Sequence, residues 1–267
     1  MARKVCTLNV GSFNIGYDNR KAEQGWEKRK EFVVSLVRFH EFDVFGTQEG
    51  CSYQLKDIAG NTYDYVYVNG FWNKNNPDIA PEKSQHNGIF WLKDKFKLLD
   101  TGNFWLSETP DKKSFGWDAA ESRGCVWVKL KEQKSGKTFF FFCVHLDHRG
   151  VEARQNSVLL ILEKMQEIAK GMPVFCVGDF NGDPESAHIQ TIRSSGFLFD
   201  SRLVTQTPPY GTIGTFNGYK KDSSMKGNLD YIWVTKDIQV KKYGVLNDMP
   251  YLVSLSDHFP ILIKAEM

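Results

Sequence analysis

The sequence predicts an α/β sandwich in which two β-sheets pack face to face and helices cover the outside. Three observations lead there. Eleven apolar runs are short and strand-like, and two segments carry a helical period. The runs do not alternate with helices in the regular strand-helix-strand order of an all-parallel sheet. Apolar residues make up 41% of the chain and charged residues 25%, enough for a sizeable core, and no shift in composition marks a boundary. Residues 1–267 therefore read as a single domain.

Taken in order, the first strand spans 5–13, so the chain enters its fold almost at once. That leaves no room for a signal peptide and suggests a cytoplasmic protein, or a secreted or periplasmic one if a leader was trimmed. Residues 23–40 follow with Trp26, Val33, Leu36, Val37 and His40 near one face of a helix. Strands are expected at 43–48, 63–68, 88–92, 96–100, 125–130 and 138–146. The stretches 69–87 and 107–124 are polar loops with Gly and Pro, long enough to be functional walls. Phe71, Trp72, Trp105, Phe115 and Trp117 lie in such polar surroundings, where core duty is less expected. Trp105 and Trp117 are accordingly candidates for stacking on a substrate, with packing as the commoner fate of such rings. The second helix covers 151–170, with Val158, Ile161, Leu162, Met165, Ile168 and Ala169 on one face and Gly171-Met172-Pro173 as its stop. Strands at 173–178, 212–216, 230–234 and 251–263 complete the set.

Composition narrows the function. The net charge of +2 gives no basic stripe of the kind a tight, nonspecific nucleic-acid binder shows. A nuclease stays open, because a bound cation can supply positive charge at the scissile phosphate. The five cysteines, at 6, 51, 125, 143 and 176, form no C-x-x-C pair, so neither a disulfide framework nor structural zinc is expected. No apolar stretch approaches the length of a membrane span.

The chemistry lies at strand ends. The run Pro173 to Gly178 stops abruptly in Asp179 and, two positions on, Asn181. At strand period both side chains point the same way. Alone, an Asx turn explains one of them. However, the strand 138–146 also ends in titratable groups, His145 and Asp147; Asp230 opens 230–234, and Asp257 and His258 precede the last apolar run. Asn14 and Glu49 end two further strands. Carboxylates, amides and imidazoles without a thiolate or a nucleophilic serine suit Mg²⁺, with Mn²⁺ as the alternative, better than zinc. Such a cation beside an acid and an imidazole is suited to attack of water on a phosphoester.

The ordered motifs Ser12-Phe13-Asn14, Gln48-Glu49, His145-Leu146-Asp147, Gly178-Asp179-Phe180-Asn181, Leu229-Asp230-Tyr231-Ile232 and Ser256-Asp257-His258-Phe259-Pro260 resemble the endonuclease/exonuclease/phosphatase superfamily, over positions 12 to 260. Phe104 to Pro110, Gly116 to Ala119 and Leu146 to Gly150 look like a bacterial branch whose substrate is generally unassigned. The resemblance implies a four-layer α/β sandwich of mainly antiparallel sheets, with the site where strand ends of both sheets meet. It implies Glu49 as the principal metal ligand, with Asn14 and Asp257 close to the metal or its waters. His258, oriented by Asp230, would contact the scissile phosphate; Asp179 would position or deprotonate water; Asn181 and His145 would bind the phosphate. Arg123 is a candidate fork for a nonbridging oxygen, with an ordinary salt bridge as its alternative. Asp147 reads either with this set or as the cap of the helix at 151. In one departure, many relatives carry a carboxylate just before the strand at Ile89 that supports the first histidine, and this chain has Gln85.

The expected function is a metal-dependent phosphoester hydrolase acting on a diester or a small phosphorylated molecule. The substrate classes are a phosphorylated small molecule, a lipid head group or nucleic acid. The alternatives are a nuclease of the same chemistry and an inactive binding module.

Overall fold

The structure, a computed structural model, describes residues 5–18, 24–68, 84–220 and 227–267. In chain order its elements are β1 (Thr7–Asn14), α1 (Trp26–Phe39), β2 (Val44–Gly50), α2 (Ser52–Ala59), β3 (Tyr63–Tyr67), β4 (His86–Leu92), β5 (Phe96–Trp105), β6 (Gly124–Glu132) and β7 (Thr138–His145). There follow α3 (Val151–Ala169), β8 (Val174–Asp179), α4 (Ala187–Ser194), β9 (Phe199–Asp200), α5 (Ser201–Val204), β10 (Asp230–Val234), β11 (Gln239–Val245) and β12 (Ile261–Glu266). Six strands form one sheet in the order β11-β12-β1-β2-β4-β3, and six form the other in the order β5-β6-β7-β8-β10-β9. The β1–β2 and β7–β8 pairings are parallel and the others antiparallel, so both sheets are mixed.

Period-2 geometry explains the uninterrupted phenylalanines of β7. Phe139, Phe141 and Cys143 enter the core between the sheets, with Val10, Val44, Val177 and Ile263. Phe140, Phe142 and Val144 face the other way, onto Val158, Ile161 and Met165 of α3. A strand buried on both faces has no polar alternation to show. A third cluster joins Phe13, Phe45 and Phe90 of the first sheet to Trp26, Val33 and Val37 of α1. Helix, sheet, sheet, helix is the four-layer sandwich. Gly46 lets the sheets approach at their centre: a Cβ there would lie 2.5 Å from Val177 Cγ2 and 2.8 Å from Cys143 Sγ.

Several expectations change. Residues 212–216 form no strand; only Phe216 bridges to His258. Of 251–263, only the part from Ile261 is strand, because a 3-10 turn (Pro250–Leu252) and the turn carrying Asp257 precede it. β11 was not expected, since Lys241 and Lys242 break its alternation at the sheet edge. The eight-residue helices α2 and α4 and the four-residue α5 are too short to display a period. Trp105, expected outside the core, is 6% exposed and packs between the sheets with Val68 and Val126. Phe71, Trp72 and most of the loop 69–87 lie outside the described residues. All five cysteines are buried free thiols. Among the described residues no helix is long and apolar enough to cross a membrane.

Candidate active site

Register alone assembles one half of the site. β7 runs parallel to β8 with His145 opposite Asp179, and β10 runs antiparallel to β8 with Asp230 opposite Asp179. Three adjacent strands thus deliver an imidazole and two carboxylates at one level. Gly178 permits the crossing, for a Cβ there would meet Val144 O at 2.0 Å. The other sheet supplies Asn14, paired with Gln48 beside Glu49. His258 comes from the turn before β12, which Ser256 ties to β1 by donating its hydroxyl to Asn14 O at 2.7 Å.

Asp179 Oδ2 is the centre of the arrangement. Asn14 Nδ2 donates to it at 3.1 Å, His145 Nε2 lies 3.5 Å away and His258 Nε2 3.7 Å. Its Oδ1 accepts from the Asn181 main-chain N–H at 2.9 Å. Burial pushes the Asp179 carboxyl up to about 7; His258 opposes this, while Asp230 and Glu49 add to it. His258 Nδ1 lies 2.8 Å from Asp230 Oδ2. Burial disfavours its charge, yet Asp230 and Asp179 outweigh burial and hold His258 well above the usual imidazole range. These two carboxylates favour the protonated ring.

His145 differs. Burial, then the Arg123 guanidinium beside it, keep it well below the usual range, so it is neutral. Arg123 NH1 lies 3.0 Å from His145 Nδ1, and NH2 lies 3.2 Å from His148 Nδ1. The guanidinium is 3% exposed and also meets Glu121 at 3.1 Å and Asp147 at 3.7 Å. Asp147 accepts main-chain N–H groups from Ala120, Glu121, Arg149 and Gly150, and it binds the entrance of α3 to the loop before β6.

Glu49 takes a left-handed backbone (φ 64°) that turns its carboxylate into the site. It accepts from Asn14 Nδ2 and from the Tyr17 N–H, both at 3.1 Å. Burial and the neighbouring charge of Asp257 push Glu49 up. Asn14 gives its Oδ1 to the Gly16 N–H, and so presents its amide N–H groups to the two acids. Ligand atoms of Glu49, His145 and Asp179 converge within 4.8 Å, as do those of Asp179, Asp230 and His258. Asp257 lies outside both groups and accepts from Ser256 Oγ at 3.1 Å. Buried acids that repel one another, an Asp230 Oδ1 with no hydrogen-bond partner and the absence of thiolate from the set fit a hard divalent cation. Asn181 spends one amide N–H on Leu146 O at 2.9 Å and keeps a second on the same nitrogen. Trp105 is in the core, and Trp117 bonds through its main-chain N–H to Glu108.

Phe216 and Arg29 carried no sequence signal, and His148 stood in the motif Leu146 to Gly150 without a role of its own. Phe216 is 39% exposed, with its ring centroid 5.0 Å from that of His258. His148 is exposed beside Arg123. Arg29, wholly buried on α1, donates to the carbonyls of Ile15, Gly16, Gln24 and Leu255, tying the loops on either side of the site together.

The profile of the Endonuclease/Exonuclease/phosphatase family matches residues 6–258. A protein of that family from Bacteroides thetaiotaomicron superposes with a TM-score of 0.90 at 35% identity, over 100% of this chain and 97% of its own. A mannosyl-6-phosphatase from the same organism superposes with a TM-score of 0.88 at 36% identity, over 97% of this chain and 99% of its own. The CCR4-Not complex 3'-5'-exoribonuclease subunit Ccr4 of Aspergillus terreus is 24% identical over 87% of this chain, which spans 45% of that protein. A profile match over nearly the whole length, together with likeness above 30% at full coverage, means that this chain belongs to the endonuclease/exonuclease/phosphatase family of hydrolases.

Proposed function

We propose that the protein is a metal-dependent phosphoester hydrolase whose substrate is a small phosphorylated molecule, a sugar phosphate first among them. The observation that carries this reading is the gathering of the Asn14 amide N–H and the Nε2 atoms of His145 and His258 around Asp179 Oδ2 beside Glu49. Glu49, with Asp257 and the amide of Asn14 nearby, would hold Mg²⁺ or Mn²⁺, whose charge would neutralise phosphate oxygens and the leaving group.

The remaining steps belong to the chain itself. Asp179, raised to about 7 by burial, is poised near neutrality to orient water and take its proton. The Asn181 main-chain N–H fixes the other carboxylate oxygen, so water meets one defined face. The His258 imidazolium, anchored by Asp230, would donate its Nε2–H to charge developing on the phosphate. His145 would donate from the opposite side, and the free amide N–H of Asn181 would add a third contact. Phe216 would form an apolar wall for the ring attached to the phosphate.

Likeness to the mannosyl-6-phosphatase over almost all of both chains supports the small-substrate reading. The net charge of +2 supports it too, because it offers little overall attraction for a long polyanion. The second reading is a 3'-exonuclease on single strands, favoured by the Ccr4 relative and by an exposed ring where a base would stack. The test is a comparison of kcat/KM for mannose 6-phosphate, glucose 6-phosphate, bis(p-nitrophenyl) phosphate and a short oligoadenylate with Mg²⁺. Preference for a hexose phosphate by about tenfold or more, some 1.4 kcal/mol, is expected. Preference for the oligonucleotide with a steep salt dependence would reverse the assignment.

A further inference from the structure

We propose that Arg123 is a positioning residue, which fixes His145 and His148 in the tautomer that bears its proton on Nε2. Both rings then serve the site as hydrogen-bond donors. This rests on the phosphoester reading only for what the donors are used on.

The argument begins with donor chemistry. A guanidinium has N–H groups and no acceptor, so any ring nitrogen bonded to it must offer a lone pair. Arg123 reaches His145 Nδ1 at 3.0 Å with one terminal nitrogen and His148 Nδ1 at 3.2 Å with the other. A neutral imidazole with a bare Nδ1 carries its proton on Nε2. For His145, that N–H is the one that faces Asp179 Oδ2 at 3.5 Å. The opposite tautomer would set a lone pair against the carboxylate and an N–H against a cation.

The guanidinium is itself held. Glu121 lies 3.1 Å from NH2, Asp147 lies 3.7 Å from Nε, and four main-chain N–H groups pin Asp147. A rigid cation of this kind transmits its geometry to both rings. His258, across Asp179, has the opposite support: its Nδ1 faces the Asp230 carboxylate. The two histidines thus flank one acid with opposite partners. His258 is built to be charged, and His145 to be a neutral donor that accepts no proton on its site-facing nitrogen. His148, exposed three residues after His145, carries the same donor chemistry at the surface beside Arg123.

The experiment has a spectroscopic arm and a kinetic arm. Long-range ¹⁵N–¹H correlation spectra of histidine-labelled protein, in EDTA and in Mg²⁺, report the tautomer of each ring, with H145A and H148A giving the assignments. Both rings should be protonated on Nε2 in the wild type, and Arg123→Met should move them towards a mixture. Arg123→Lys, which keeps a cation but loses the fork, should hold one ring at most. In turnover, R123M should lower kcat about 10- to 100-fold, as loss of an orienting partner does, with KM changed less than about threefold. H145A with R123M should be no slower than H145A alone, because the two act as one unit. A wild-type His145 protonated on Nδ1 would overturn the proposal. So would an R123M effect confined to KM that multiplies with that of H145A, for Arg123 would then hold phosphate directly. The spectra need no turnover: Nε2-protonated rings in a protein that hydrolyses no phosphoester would sustain the tautomers and overturn the function.

Discussion

Asp179 accepts from Asn14 and Asn181 and lies within 4 Å of two imidazoles, yet it is raised to about 7 because burial outweighs them. That has a thermodynamic consequence. Its folded pKa exceeds the unfolded carboxylate value of about 4, so between those pH values the folded state binds more protons than the unfolded one. Stability of the metal-free protein should therefore fall as pH rises from about 4 to 7, relative to Asp179→Asn. Melting temperatures of the two proteins across that range in EDTA measure the difference; parallel profiles would contradict the raised pKa. Added Mg²⁺ should raise the wild-type melting temperature at pH 7 by mass action, and that of Glu49→Gln much less. The acids and imidazoles were legible in the sequence because they stand where apolar runs end, as Asp179 and His145 do, or where they begin, as Asp230 does. Their partners were not. Nothing near Arg123 in the chain says that its fork closes on two imidazoles, or that Asn14 turns its amide nitrogen to the acids.

Among the elements, α1 does more than cover a sheet. Arg29 donates to four main-chain carbonyls, two of them in the loop after β1 and one in the segment before β12. Arg29→Met should cost about 3 kcal/mol through carbonyls left unsatisfied, and should weaken Mg²⁺ binding measured by calorimetry. Unchanged metal affinity in a folded variant would confine Arg29 to stability. α4 shows a second device. His188 Nε2 lies 3.1 Å from Phe180 O, bracing the turn after Asp179, and burial pushes its pKa down to about 4. A histidine whose folded pKa is depressed loses stability as pH falls through the unfolded value, here from about 6.5 towards 4. His188→Gln should lack that component of the acid transition in a pH-resolved melt. Long elements were legible because their pattern is sustained, as the helical period of α3 and the unbroken apolar run of β7 are. α2, α4 and β11 were not: eight residues do not establish a helical period, and the lysines of an edge strand hide a face that only pairing with β12 reveals.

At the scale of the molecule, the sandwich holds strand ends of β1 and β2 against those of β7, β8 and β10 across an apolar core. A Cβ at Gly46 would crowd Val177 and Cys143 of the facing sheet, so Gly46→Ala should destabilise by about 1–3 kcal/mol through overpacking and loosen the register between Glu49 and Asp179. Denaturant melts with a kcat measurement at low temperature would separate the two effects; an unchanged midpoint would show slack between the sheets. The candidate site is thus a property of the interface between the sheets, and the distances among its residues are not legible along the chain. The most direct test of the account is hydrolysis of a hexose 6-phosphate with Mg²⁺ or EDTA, by wild type and by Asp179→Asn. The account predicts Mg²⁺-dependent turnover that falls at least about 10³-fold in the variant, as loss of a group that orients and deprotonates water requires. Turnover that survives EDTA, or a variant as fast as wild type, would contradict it.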